Sequence, residues 1–146
     1  MNTRLRIAML TTLLLTGAAQ AAEVIDVYRD PNCGCCKAWI KHLESNGFSV
    51  RDHVEPNMSE FKQRLGVAPR LASCHTAVID GKFVEGHVPA AQIRDLKNHP
   101  DLVGIAVPGM PMGSPGMDGG PTRQPYQVIG QTQSGADQVI ADYPGN

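Results

Sequence analysis

Val24-Ile25-Asp26-Val27-Tyr28-Arg29-Asp30-Pro31-Asn32-Cys33-Gly34-Cys35-Cys36 is the stretch on which the reading of this chain turns. Its first five residues are β-branched, acidic and aromatic in the manner of a strand, and Asp30-Pro31-Asn32 is a turn signal. From Cys36 to Asn46, apolar Ala38, Trp39, Ile40 and Leu43 fall at helical spacing, and Gly47 is a stop. The stretch therefore predicts strand, turn and helix, with three cysteines at the helix start. Unpaired N–H groups and the helix dipole favour anions there, so thiolates form more readily.

Further along, Phe48 to Val54 reads as a second strand, and Ser59 to Leu65 as a short helix closed by Gly66, with Met58 a helix-start or core residue. Thr76-Ala77-Val78-Ile79 and Lys82-Phe83-Val84-Glu85 flank Asp80-Gly81, a strong hairpin signal. Pro89 opens a helix through about Asn98, with Ile93 and Leu96 inward. The order β-α-β-α-β-β-α resembles a thioredoxin-like domain. The fold class expected is α/β: a small mixed central sheet flanked by helices, with a core at about 23–99. Beyond it, Val103 to Val107 is a short apolar run, and Pro108 to Pro125 is rich in Gly, Pro and Met and reads as an irregular loop. Tyr126–Ile129 and Asp137–Ile140 form a terminal strand pair around Ser134-Gly135, so 100–146 is a loop and C-terminal extension.

The N-terminus sets the compartment expected. Arg4 and Arg6 precede an apolar run, Ile7 to Leu15, and Ala19-Gln20-Ala21 fits the small-residue cleavage rule. Residues 1–21 are read as a cleaved signal peptide and 22–146 as one exported domain. The apolar run is shorter than the ~20 residues a membrane-spanning helix needs. No second long apolar run follows, so no membrane span is expected in the mature chain. The formal net charge is −1, and removing the leader takes away two arginines and no acid. A nucleic-acid partner would need a clustered basic face, which is missing.

Cys33, Cys35, Cys36 and Cys74 are the four cysteines of the chain. An exported protein meets oxidising conditions, which raises the prospect of structural disulfides. Three of the four lie within four residues, whereas structural bridges gain from closing longer loops. A single clip from the cluster to Cys74 remains open, but the clustering points to chemistry. Cys33 and Cys36 keep a C-x-x-C frame suited to dithiol–disulfide exchange. Cys35 offers that exchange a competing thiol but gives a soft metal a third sulfur. Typical structural zinc sites use two separated cysteine pairs, unlike this three-plus-one pattern. Copper(I), thiol redox chemistry and zinc therefore all stand, with copper(I) favoured.

Ser73-Cys74-His75-Thr76 occupies the place where thioredoxins usually carry a proline beside the catalytic cysteines. His75 is next to Cys74, although successive strand residues point to opposite faces. His87, in Glu85-Gly86-His87-Val88-Pro89, reads on its own as a turn residue. His42, His53 and His99 are read as solvated. Met110, Met112 and Met117 sit among glycines and prolines that bar an ordinary helical stripe, and their thioethers are soft copper(I) donors.

These segments together resemble the CopG family of periplasmic copper-resistance proteins, across nearly all of the expected mature chain. The resemblance implies a thioredoxin-like fold and cysteine-bridged copper(I), more than one ion, in copper resistance and homeostasis. Cys33, Cys35, Cys36 and Cys74 carry over as ligands, followed by His75, His87, Met110, Met112 and Met117. The implied partners are copper ions and other periplasmic copper-handling proteins. Interconversion of Cu(I) and Cu(II), which would make the protein a copper oxidoreductase, stays open beside a thiol–disulfide oxidoreductase using Cys33 and Cys36.

Overall fold

The structure is a computed structural model, and it describes residues 21–146. The leader expected at 1–21 lies almost wholly outside the described residues. The elements run β1 (Val24–Arg29), α1 (Gly34–Ser45), β2 (Ser49–Val54), α2 (Met58–Arg64), β3 (Thr76–Ile79), β4 (Lys82–Glu85), α3 (Ala90–Asp95), β5 (Leu102–Ala106), β6 (Tyr126–Thr132) and β7 (Asp137–Tyr143). Short 3₁₀ turns cover Pro69–Leu71 and Leu96–Asn98.

All the described strands join one sheet in the order β2-β1-β3-β4-β5-β6-β7. The pairs β1–β2 and β4–β5 are parallel; the others are antiparallel. The expected "small" sheet is thus too small. The apolar run after Pro100 adds β5 beside β4, and β6 and β7 extend the sheet from there. The terminal strands are also longer than the apolar residues alone indicate. Gln131 continues β6 because its side chain donates to the Gly66 carbonyl and accepts from the Ala68 N–H, at 2.8 and 3.0 Å.

Side-chain alternation gives the sheet two cores. Val84 packs in the larger one with Ile25, Val27, Trp39, Leu43, Ile93 and Ile105, so α1 and α3 cover that face. Phe83, its neighbour in β4, points the other way, into a smaller core with Val67, Leu71 and Ala106. Burying a side chain such as Leu43 contributes about 1.5–3 kcal/mol. Among the described residues no helix is long and apolar enough to cross a membrane.

The third helix starts one residue later than Pro89 suggests. Pro89 is its N-cap and has no side chain able to accept a hydrogen bond. The cap comes from elsewhere: the Ala90 N–H donates to His42 Nε2 at 3.1 Å. His42, expected in solvent, is half-buried because α1 lays it against the start of α3.

Candidate metal centre

The cysteine motif is held by the start of α1. Cys33 is the N-cap, and its sulfur accepts from the Cys36 N–H at 3.3 Å. Cys33 and Cys36 form a disulfide. The expected C-x-x-C frame is therefore closed on itself, and no clip runs to Cys74. Cys35 and Cys74 are free thiols. Cys35 Sγ lies 3.5 Å from Cys33 Sγ and 3.9 Å from Cys74 Sγ, so it stands between the bridge and the distant cysteine.

The second half of the site comes from the turn before β3 and the turn after β4. Cys74 lies in a bend, two residues ahead of β3, so strand alternation does not yet apply. This explains how Cys74 and His75 approach each other: His75 Nδ1 is 3.2 Å from Cys74 Sγ. His87 Nε2 reaches the same sulfur at 3.1 Å, and His87 Nδ1 lies 2.7 Å from the Pro115 carbonyl oxygen. Both imidazoles are fully buried. The His75 ring lies 4.3 Å from the Trp39 ring and edge-on to His87 at 5.0 Å. Among the described residues His75 Nε2 has no hydrogen-bond partner.

Among the described residues two donor groups emerge. Cys33, Cys35, Cys36 and Cys74 form one and Cys74, His75 and His87 the other, with the donor atoms of each group all within 4.8 Å of one another. Cys74 belongs to both. Burial, reinforced by the nearby Cys35, pushes its thiol up to about 12. Burial also holds His75 well below the ordinary histidine range, helped by neighbouring His87 and Lys62. His87 is lowered by burial and partly restored by the Pro115 carbonyl. At neutral pH both imidazoles are uncharged, the form that ligates metals. A soft cation meeting this set displaces a proton from Cys74 and finds the imidazoles already free of charge.

A buried carboxylate, which the sequence reading passes over, fixes the Cys74 segment. Glu85 is fully buried and accepts from the Ser73 N–H at 2.7 Å, from Thr76 Oγ1 at 2.5 Å and from Lys62 Nζ. Lys62 also donates to Thr76 Oγ1 at 2.8 Å. These bonds bracket Cys74 and His75 on both sides. The one signal in the sequence is an acid directly after apolar Phe83-Val84 at the end of β4, two residues before His87.

The methionines occupy a tethered loop. The Gly109 N–H donates to the Ala72 carbonyl at 3.2 Å, and Ser73 Oγ donates to the Gly109 carbonyl. Met110 and Met112 are exposed, at 51% and 36%, and Met117 is half-buried. Of the remaining histidines, His53 stacks on Tyr28 at 4.6 Å and pairs with Asp26, and His99 pairs with Asp95; neither belongs to a donor group with the cysteines.

Fold and site together define a small α/β protein with a sulfur-and-imidazole donor cluster at one end of its sheet. Residues 71–117 match the family described as "Protein of unknown function, DUF411". Two solved structures, described as copper resistance protein CopG in form 1 and form 2, are each 64% identical to this chain, with a TM-score of 0.83. Form 2 covers 84% of this chain and 99% of its own, and form 1 covers 85% and 99%. Among curated proteins nothing matches. The chain belongs to the CopG copper-resistance protein family.

Proposed function

We propose that this chain is an exported, thioredoxin-like copper-binding protein of the periplasm, acting in copper resistance. Residues 1–21 would be the cleaved leader, 22–146 the domain, and other periplasmic copper-handling proteins its exchange partners. The observation that carries the reading is the convergence of three further cysteine sulfurs and two buried, neutral imidazoles on Cys74. Thiolates are soft donors that prefer copper(I), and bridging thiolates hold several ions. The orphaned His75 Nε2 marks a buried imidazole whose ring is only half used by the protein itself. Met110, Met112 and Met117 would add thioethers, which bind copper(I) without losing a proton.

The two donor groups suit two oxidation states. The Cys35 and Cys74 thiols, joined by Cys33 and Cys36 when their disulfide is reduced, favour copper(I); the Cys74–His75–His87 group, with imidazole nitrogens, also accommodates copper(II). The chemistry balances when the Cys33–Cys36 dithiol gives one electron to each of two copper(II) ions. The products are the disulfide, two copper(I) ions and two protons. Anaerobic copper(I) titration of the reduced mature protein, read by mass, tests the binding. Uptake of more than one ion is expected, and a stoichiometry near zero sinks the reading.

One observation favours a second reading, a thiol–disulfide oxidoreductase: the C-x-x-C frame is oxidised here. Reduction of a model disulfide, abolished by Cys33→Ser and indifferent to Cys35→Ser, would select it over copper chemistry.

A further inference from the structure

The loop between β5 and β6 approaches the α1 backbone closely at Gly116. Gly116 has φ +85°, and a Cβ placed on it would lie 2.8 Å from the Trp39 backbone nitrogen and 3.1 Å from Cys35 O and Trp39 Cα. All three are backbone atoms of α1, which do not swing aside like the tip of a long side chain. The left-handed conformation and the close approach each call for glycine. One residue earlier in the loop, the Pro115 carbonyl lies 2.7 Å from His87 Nδ1.

A carbonyl oxygen only accepts, so this contact requires the proton on Nδ1. A free neutral histidine side chain prefers its proton on Nε2. In this site that preference would put an N–H where His87 faces Cys74 Sγ, 3.1 Å away. The carbonyl reverses it and turns the Nε2 lone pair toward the sulfur. Metal-ligating histidines recurrently donate their second ring N–H to a carbonyl or carboxylate in this way.

We propose that Gly116 is a positioning residue for the donor site: it lets the loop backbone rest on α1 and so holds the Pro115 carbonyl on His87 Nδ1, keeping Nε2 free to ligate. The ligand role of Nε2 rests on the copper reading above; the tautomer does not. Gly119, on the same loop, is the control, because a Cβ added there meets nothing within 4 Å.

The test has two arms. In metal-free protein, long-range ¹H–¹⁵N correlation spectra read the His87 tautomer. The Nδ1–H form is expected in wild type and Gly119→Ala, with a shift toward Nε2–H in Gly116→Ala. In reduced protein, competition with a chromophoric chelator reads copper(I) affinity. Gly116→Ala should lower it about 10–100-fold, the range for losing a group that orients a metal ligand. The same substitution in a His87→Ala background should cost almost nothing further, whereas a merely structural defect would cost as much in both backgrounds.

An Nε2–H tautomer in wild type, an unchanged tautomer in Gly116→Ala, or an equal loss in the His87→Ala background overturns the proposal. Should Gly116→Ala not fold, the wild-type tautomer decides. Absence of copper uptake by wild type would sink the copper reading instead and leave the tautomer arm legible.

Discussion

The cysteines at the start of α1 and the Cys74–His75–His87 group meet at one sulfur, yet they are built differently. The first is local: a four-residue motif at a helix N-terminus, half-exposed except for Cys36, and closed by a disulfide. The second is assembled from two turns and a loop separated in sequence, and its imidazoles are fully buried. The local half carries its disulfide between the N-cap and the first turn of α1, outside the sheet. The assembled half depends on Glu85, Lys62 and the Pro115 carbonyl for its shape. A reactive group thus sits beside a rigid one, and Cys74 connects them.

Removing the connection should have the largest effect. Cys74→Ser should lower copper(I) affinity by more than the roughly 10–100-fold that loss of an orienting group costs. Cys33→Ser should spare the Cys74–His75–His87 group, leaving residual uptake. Chelator competition on both variants measures the contrast, and equal losses would erase the distinction between the halves.

Glu85→Ala comes next, acting on the assembled half alone. It strands the half-buried Ser73 N–H and leaves Lys62 without its carboxylate. Urea unfolding should show a loss of about 3–5 kcal/mol, the range for breaking a buried ion pair. Glu85→Gln, which keeps acceptor capacity, should cost less. If both variants unfold like wild type, the assembled half does not depend on this carboxylate.

The smallest effect lies at the join between α1 and α3. Burial lowers the His42 pKa, while Asp118 opposes the shift. The unfolded chain titrates its histidines near 6.5, so as pH falls through that value the unfolded state takes up the proton first. The His42 contribution to stability is therefore present above about 6.5 and is lost on acidification. Replacing it by Gln should flatten this part of the pH profile by roughly 1 kcal/mol, the net worth of one hydrogen bond. Thermal melts between neutral and mildly acidic pH would show it.

The same contrast explains what was legible in the sequence. β3, β4 and their turn are read to the residue, because alternation and Asp80-Gly81 are local signals. Cys33, Cys35 and Cys36 announce themselves by spacing. His75 remains ambiguous in sequence, because its direction depends on where β3 begins. Glu85 is missed because a charged strand-end residue is ordinarily solvated, and only the packing of α2 brings Lys62 onto it. Pro115 and Gly116 act through backbone atoms, which composition does not reveal. β5 is foreshadowed by its apolar run, but its place beside β4 is a tertiary fact.

Trp39 is the only tryptophan of the chain. It is fully buried, anchored by its indole N–H to the Val88 carbonyl at 2.8 Å, and its ring lies against His75. All tryptophan emission therefore originates within one ring's width of the donor site. The molecule has a native optical gauge there: a change of charge or occupancy at that imidazole alters the surroundings of a single fluorophore, with no second indole to dilute the signal.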